Sequence, residues 1–342
     1  MTREFVIGMT ILFLAGLSNG SFAWPMKYAR HWKWENTWLL FTFLALFVLP
    51  LLLTLEFVPQ VGELYSTAPL KELLPALIFG FLWGIAQTTF GIGIAAVGMA
   101  LAIAVVVGLT GSLGSLIPML VLHPGELHSA RGIALLVSLP ILILGLVLYG
   151  VAGRRREKEQ PPPAADSLAP KMSFAVGLAI CIFTGVFGSM LNLGFAFSGA
   201  LQHRSESLGA NPVFATYAVW MVVLTAGFIP NLTYCSYLLL RNHTWPLYSA
   251  HGRLREAALC LAMAALWLGG VFGYGMGSRF LKGSGTSFGF AVVICATVLI
   301  SNLLGLFMGE WEGTTRRTRH LLAGAVATVL LSLIVLALGG IF

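Results

Sequence analysis

Ten stretches of apolar residues follow one another along the chain with short polar breaks between them, each close to the roughly twenty residues a helix needs to cross about 30 Å of hydrocarbon. They lie near 4–24, 38–58, 70–91, 94–121, 131–152, 172–200, 212–240, 256–279, 286–308 and 320–340. The pattern predicts an all-α membrane protein with ten transmembrane helices. The third and fourth stretches are nearly continuous, and Gly91 and Gly93, with the small residues after them, mark the expected turn. The first stretch follows a short charged start and ends in small residues, as a cleaved signal peptide does. Its length and its continuation into Trp24 and a basic cluster read instead as a retained helix.

The longest polar break, "GRRREKEQPPPAADSLAPK" from Gly153 to Lys171, is charged, proline-rich and without hydrophobic periodicity. It divides the chain into a first five-helix unit (1–152), a linker (153–171) and a second five-helix unit (172–342). The two units carry a repeat. "WGIAQTTFGIG" from Trp83 to Gly93 aligns without gaps on "WLGGVFGYGMG" from Trp267 to Gly277, and after a three-residue insertion "IAVV" at 103–106 meets "FAVV" at 290–293. Five spans per copy place the second copy upside down relative to the first, so the expected architecture is two inverted five-helix repeats, a common construction of secondary transporters.

Composition agrees with a lipid environment: 58% of residues are apolar and 10% charged, too little polar surface to cover a soluble core. A net charge of +7 would suggest nucleic acid in a soluble protein. Here fourteen of the twenty Lys and Arg fall in the connections after spans one, five, seven and nine, which makes that side cytoplasmic, puts both termini on the periplasmic side and leaves no role for nucleic acid. The four cysteines, Cys181, Cys235, Cys260 and Cys295, lie far apart inside apolar stretches and read as small buried hydrophobes.

Enzymatic chemistry finds little to use. "GLTGSLGS" at Gly108 to Ser115 lacks the lysine of a phosphate loop and sits within a span. The seven histidines fall in connections or at helix ends without metal-ligand spacing, so neither a metal nor another cofactor is expected. A membrane enzyme would have to recruit His123, Glu126 and His128. The twelve glutamates sit near span ends or in loops and the single aspartate, Asp166, in the linker, so no carboxylate stands at membrane depth.

The spans do hold neutral polar and aromatic groups: Asn19, Trp83, Gln87, Asn192, Tyr217, Trp220, Trp267, Tyr274 and Asn302. Trp83 and Gln87 share one helix face at i, i+4. Amides donate and accept hydrogen bonds at once, as a diol requires, and aromatic faces suit the C–H faces of a pyranose. These nine are the candidate lining for a small neutral sugar, and packing between helices is the alternative role of each.

The stretch "WPMKYARHWKWENTW" from Trp24 to Trp38 resembles the signature of the bacterial L-rhamnose/proton symporter family, a ten-helix branch of the drug/metabolite transporter superfamily. The matching residues are Pro25, Lys27, Trp32, Trp34, Glu35 and Trp38, and further matches are "FGFLWGI" at Phe79 to Ile85, "LGANP" at Leu208 to Pro212, "GEW" at Gly309 to Trp311 and Arg316–Arg317. The resemblance implies sugar uptake with a proton across the inner membrane. Two departures stand out. "QTTFG" at Gln87 to Gly91 replaces an Asn-rich helix-three end, and "GTSFGF" at Gly285 to Phe290 lacks the aspartate that rhamnose transporters can carry there. Glu35 and Glu310, in the matched motifs, are the candidates for proton coupling. Their alternative roles are favourable placement at a helix N-terminus for Glu35 and an ion pair with Arg316 or Arg317 for Glu310. A metabolite exporter or an uncoupled carrier of the same superfamily is the alternative activity.

Overall fold

The structure, a computed structural model, describes residues 3–160 and 173–341. Ten helices in it are long and apolar enough to cross a membrane: α1 (Arg3–Tyr28, its last turn a 3₁₀ turn over Pro25–Tyr28), α2 (Trp34–Phe57), α3 (Leu70–Val97), α4 (Met99–Leu122), α5 (Ala130–Glu159), α6 (Phe174–Ser207), α7 (Thr216–Arg241), α8 (Arg253–Leu281), α9 (Gly285–Phe307) and α10 (Arg316–Gly339). No strand occurs among the described residues. Side-chain caps start three of the helices: Ser129 accepts from the amide of Gly132, Ser173 from that of Val176 and Thr315 from that of Thr318.

Two sequence expectations need correction. Helix α3 runs through Gly91 and Gly93, and the chain turns at Gly98, whose φ of +87° only glycine adopts cheaply. Gly93 serves packing instead, because a Cβ there would run into Cys181 of α6. The linker also does not begin at 153. Helix α5 extends to Glu159 because its end is tied down: Glu157 accepts from the amide of Ala100 at 3.4 Å, and Glu159 accepts from the amide and hydroxyl of Thr315 and the hydroxyl of Thr318, each at 2.8 Å. The rest of the expected linker, 161–171, lies outside the described residues.

The N-terminal end of α1 and the C-terminal end of α10 lie at one end of the bundle, where Phe5 meets Gly340. We call this the termini face, and the opposite end, where α5 leads into the linker, the linker face. Packing follows a paired scheme. Helix α1 lies on α8 and α9, and α6 lies on α3 and α4. The glycines at these crossings have matching neighbours: Gly8 faces Phe280 and Leu281 where Gly177 faces Ala96 and Val97, and Gly277 faces Leu12 where Gly93 faces Cys181. Gly16 lies on Val293 and Ala296, as Gly185 lies on Val106 and Leu109. Missing side chains let these backbones approach closely, the usual basis of helix association in lipid. Helices α5 and α10 pack on each other at the flank, where the Ser332 hydroxyl donates to the Ser138 carbonyl at 2.8 Å.

Two spans are irregular. Helix α2 widens into a π turn over Leu44–Val48, just before Pro50, which has no N–H to continue the ladder. Helix α6 breaks at Ser189 and again near Phe197–Ser198. Broken spans free backbone groups and tend to line a path rather than lipid.

Candidate functional site

At the centre of the bundle α2, α3, α7 and α8, with Phe22 of α1, enclose a chamber of about 30 Å³. Its walls include Trp38 and Phe41 of α2, Trp83 and Gln87 of α3, Asn231 of α7 and Trp267 of α8. The rings of Trp83 and Trp267 stack, with centroids 5.8 Å apart and planes 20° from parallel, and Phe41 meets Trp267 edge-on at 6.4 Å. Trp83 has room because Gly227 lies under its ring; a Cβ there would stand 2.6 Å from it. The Trp38 indole N–H donates to Asn231 Oδ1 at 3.2 Å, and the Asn231 amide donates to the Gly227 carbonyl at 2.9 Å. Gln87 is half-buried, and no described residue partners its amide. The chamber thus offers aromatic ring surface and an amide with both its donors and its acceptor unused, the chemistry a hydroxylated ring would take.

Toward the termini face, a vestibule of about 410 Å³ is lined by Phe195, Gln202, Arg279, Lys282 and Thr286 among others. Its lining residues Phe195 and Thr286 rest on a second, buried cluster, called the floor below. Phe195 stacks on Trp220 at 4.4 Å and 5°, and Tyr274 meets both rings edge-on. The Tyr274 hydroxyl lies against Asn192 Oδ1 and 2.8 Å from the Thr286 carbonyl, and the Asn192 amide donates to the Gly114 carbonyl at 2.6 Å. The Trp220 indole N–H is buried without a partner.

Of the nine lining candidates, then, the chamber brings together Trp83, Gln87 and Trp267, and the vestibule floor brings together Asn192, Trp220 and Tyr274. The other three lie elsewhere. Asn19 reaches Thr297 of α9 at 3.4 Å, the Tyr217 ring packs on Phe272 at 4.3 Å, and Asn302 donates to its own helix at the Val298 carbonyl, 2.7 Å away. Asn231, Trp38 and Phe41 escaped the sequence reading. Asn231 carried the same signal as the others, an amide inside an apolar span, whereas Trp38 reads as an interfacial anchor.

At the linker face the carboxylates of Glu35, Glu256 and Glu310 join the two halves. Glu35, in the first turn of α2, is buried and accepts on Oε1 from the Asn242 amide at 3.0 Å and the Thr244 hydroxyl at 2.9 Å. Glu256, in the first turn of α8 and 1% exposed, accepts from the backbone amides of Arg30 at 3.0 Å and His31 at 3.3 Å, while its other oxygen has no partner. Each carboxylate therefore ties its own half to a connection of the other half. Glu310 pairs with Lys27 and, at 3.1 Å, with Arg156, rather than with Arg316 or Arg317. Burial pushes the Glu310 carboxyl up, but the two cations outweigh it and hold the group below the ordinary carboxylate value. Glu126, considered for an enzyme, is occupied with the amide of Ser284 at 3.1 Å. Among the described residues, no group of three or more His, Cys, Asp and Glu could hold a metal ion.

A family model described as L-rhamnose-proton symport protein matches residues 1–341. An L-rhamnose-proton symporter of Mannheimia succiniciproducens is 26% identical over 346 residues that cover 98% of this chain and 98% of its own. One of Pectobacterium atrosepticum is 25% identical over 346 residues with the same coverage of both chains. The matched stretch takes in every helix that lines the chamber and the vestibule, and the relatives are named as symporters, not enzymes. The chain belongs to the L-rhamnose-proton symport protein family.

Proposed function

We propose that this multi-pass inner-membrane protein takes up a small neutral sugar, L-rhamnose, together with a proton, by alternating access between two inverted five-helix copies. The linker face is the cytoplasmic one, since it gathers most of the Lys and Arg, and the termini are periplasmic. The observation that carries the reading is the stacked pair of Trp83 and Trp267 beside the free amide of Gln87. The repeat aligns these two tryptophans, so their meeting face to face supports an axis relating the copies through the chamber. The matched glycine crossings of α1 and α6 support the same relation.

The vestibule opens toward the periplasm, while the chamber has room for about one water molecule, so sugar reaches Trp83 and Trp267 only after the Phe195–Trp220–Tyr274 floor gives way. Glu310 stays ionised while Lys27 and Arg156 flank it. Glu35 and Glu310 are the candidates for coupling, Glu35 held by the neutral Asn242 amide and Thr244 hydroxyl and Glu310 by two cations. One proton crossing about 150 mV supplies about 3.4 kcal/mol, enough for a gradient of about 300-fold.

The test is uptake of labelled L-rhamnose into membrane vesicles with and without an imposed pH gradient. Uptake that rises with the gradient is expected. No uptake would sink the substrate, and uptake indifferent to the gradient would leave an uncoupled carrier, the reading that the lack of an acid at membrane depth favours second.

A further inference from the structure

A groove of about 530 Å³ runs along the outside of the bundle between α4, α5 and α6, away from both cavities described above. Apart from Ser112 and the residue at its mouth it is walled by apolar side chains, and Ala104, Gly108 and Gly150 keep its floor low. On α4 it reaches from Leu101, one turn from the linker face, to Leu113, about 18 Å at 1.5 Å per residue, close to the roughly 15 Å depth of one hydrocarbon leaflet. Its single charged lining residue is Arg154, at the linker-face mouth, where the phosphates of that leaflet lie. Arg154 is exposed and makes no ion pair among the described residues, in contrast to Arg156, two positions on, which pairs with Glu310. The corresponding face of the other copy is covered. On the repeat proposed above, Leu101, Ala104, Val105 and Gly108 correspond to Phe288, Ala291, Val292 and Cys295 of α9, all of which are buried.

We propose that this groove is a binding site for one anionic phospholipid, with an acyl chain between α4, α5 and α6 and its phosphate against Arg154. An apolar trough one leaflet deep fits a lipid chain, and an unpaired guanidinium at headgroup level complements a negative headgroup. A zwitterionic lipid would fill the same trough but would gain less from Arg154.

Purified full-length protein, stripped of lipid in detergent, would be titrated with phosphatidylglycerol and with phosphatidylcholine of the same chains, and bound lipid counted by native mass spectrometry. The wild-type chain is expected to retain one phosphatidylglycerol with about fivefold preference, the equivalent of about 1 kcal/mol for one arginine at the surface. Arg154→Gln should bring the preference close to one without abolishing binding, and Ala104→Phe, which fills the trough, should release both lipids. Val147→Phe fills the same trough from α5 and serves if Ala104→Phe does not fold, with helicity by circular dichroism as the check. Equal retention of the two lipids by wild type, a preference that survives Arg154→Gln, or retention unchanged by a folded filling variant would overturn the site. So would a chain dimer dispersed by the filling variant, which would place a second copy in the groove. Rhamnose uptake enters none of these readouts, so the lipid site and the transport reading fail separately.

Discussion

The two ends of the bundle are closed by different chemistry. At the termini face, ion pairs join side chain to side chain, all in part open to solvent: Arg204 with Glu72 at 2.7 Å and, at the 410 Å³ vestibule, Lys282 with Glu4 at 2.8 Å and Arg279 with Glu206. The linker face has one such cluster, Glu310 with Lys27 and Arg156, and adds what the termini-face pairs lack: Glu35 and Glu256 are buried and accept from amides and a hydroxyl of the opposite half. Exposed ion pairs are worth about 0–1 kcal/mol each and re-form readily after separation. A buried donor stripped of its acceptor costs about 1–3 kcal/mol until water reaches it. On the alternating access proposed above, the two buried carboxylates put the larger cost of separation at the linker face, and the termini face is the one expected to open and close cheaply.

Removing a buried carboxylate at the linker face should have the largest effect. Glu256→Ala leaves the amides of Arg30 and His31 without their acceptor, and we expect it to lower stability by about 2 kcal/mol, the largest fall in Tm of this set. Glu256→Gln keeps an acceptor oxygen and should recover most of the loss. Thermal unfolding of the two variants in detergent checks both statements. Equal Tm values for Glu256→Ala and wild type would remove the asymmetry between the faces.

Next in size comes the chamber, which the comparison treats as sealed from the linker side. Gln87→Ala deletes the unpartnered amide without exposing any other group, so its effect belongs to the sugar. Loss of about 1.4 kcal/mol of hydrogen bonding would raise the apparent KM for rhamnose uptake about tenfold, with Tm unchanged. An unchanged KM would remove Gln87 from the lining.

Much of this was legible before the fold was known, and the reasons differ by residue. The ten spans follow from length and apolar content, which lipid enforces locally. Trp83 and Gln87 could be placed together because i, i+4 spacing fixes a shared face, and Trp267 because the repeat pairs it with Trp83. The contacts of Asn231 with Trp38 and of Glu256 with the amides at 30–31 join residues about two hundred positions apart, which no local pattern encodes. The turn expected at Gly91–Gly93 was misplaced for a related reason. Glycine in a membrane helix marks close packing as often as a bend, and only the packing partner, Cys181, tells the two apart.

A smaller effect sharpens the comparison within the linker face. Glu310 is held ionised by Lys27 and Arg156 and is about one-third exposed, so its contribution is discounted for solvent screening to below about 1 kcal/mol. Its folded-state carboxyl titrates below the unfolded value. The stabilisation is therefore present above the ordinary carboxylate range, near pH 4, and is lost as pH falls through the lower folded value. Glu310→Gln should flatten that acid limb in a plot of Tm against pH and leave the neutral region nearly unchanged. An acid limb identical to wild type would assign it to other carboxylates.

The smallest effect is expected at the termini face, where Arg279→Gln removes the pair with Glu206 at the rim of the vestibule. Arg279 and Glu206 side chains retain 31% and 22% of their exposure, so water replaces the lost partner and the change in stability should stay within about 0.5 kcal/mol. The consequence for transport is kinetic. If this face opens and closes cheaply, weakening one pair shifts its equilibrium toward the open state, and sugar entry from that side should be as fast as or faster than in wild type. Tm together with initial uptake rates measures both. A Tm loss as large as that of Glu256→Ala would mean that Arg279 supports the fold of this face rather than its closure, and the two faces would then be held with similar strength.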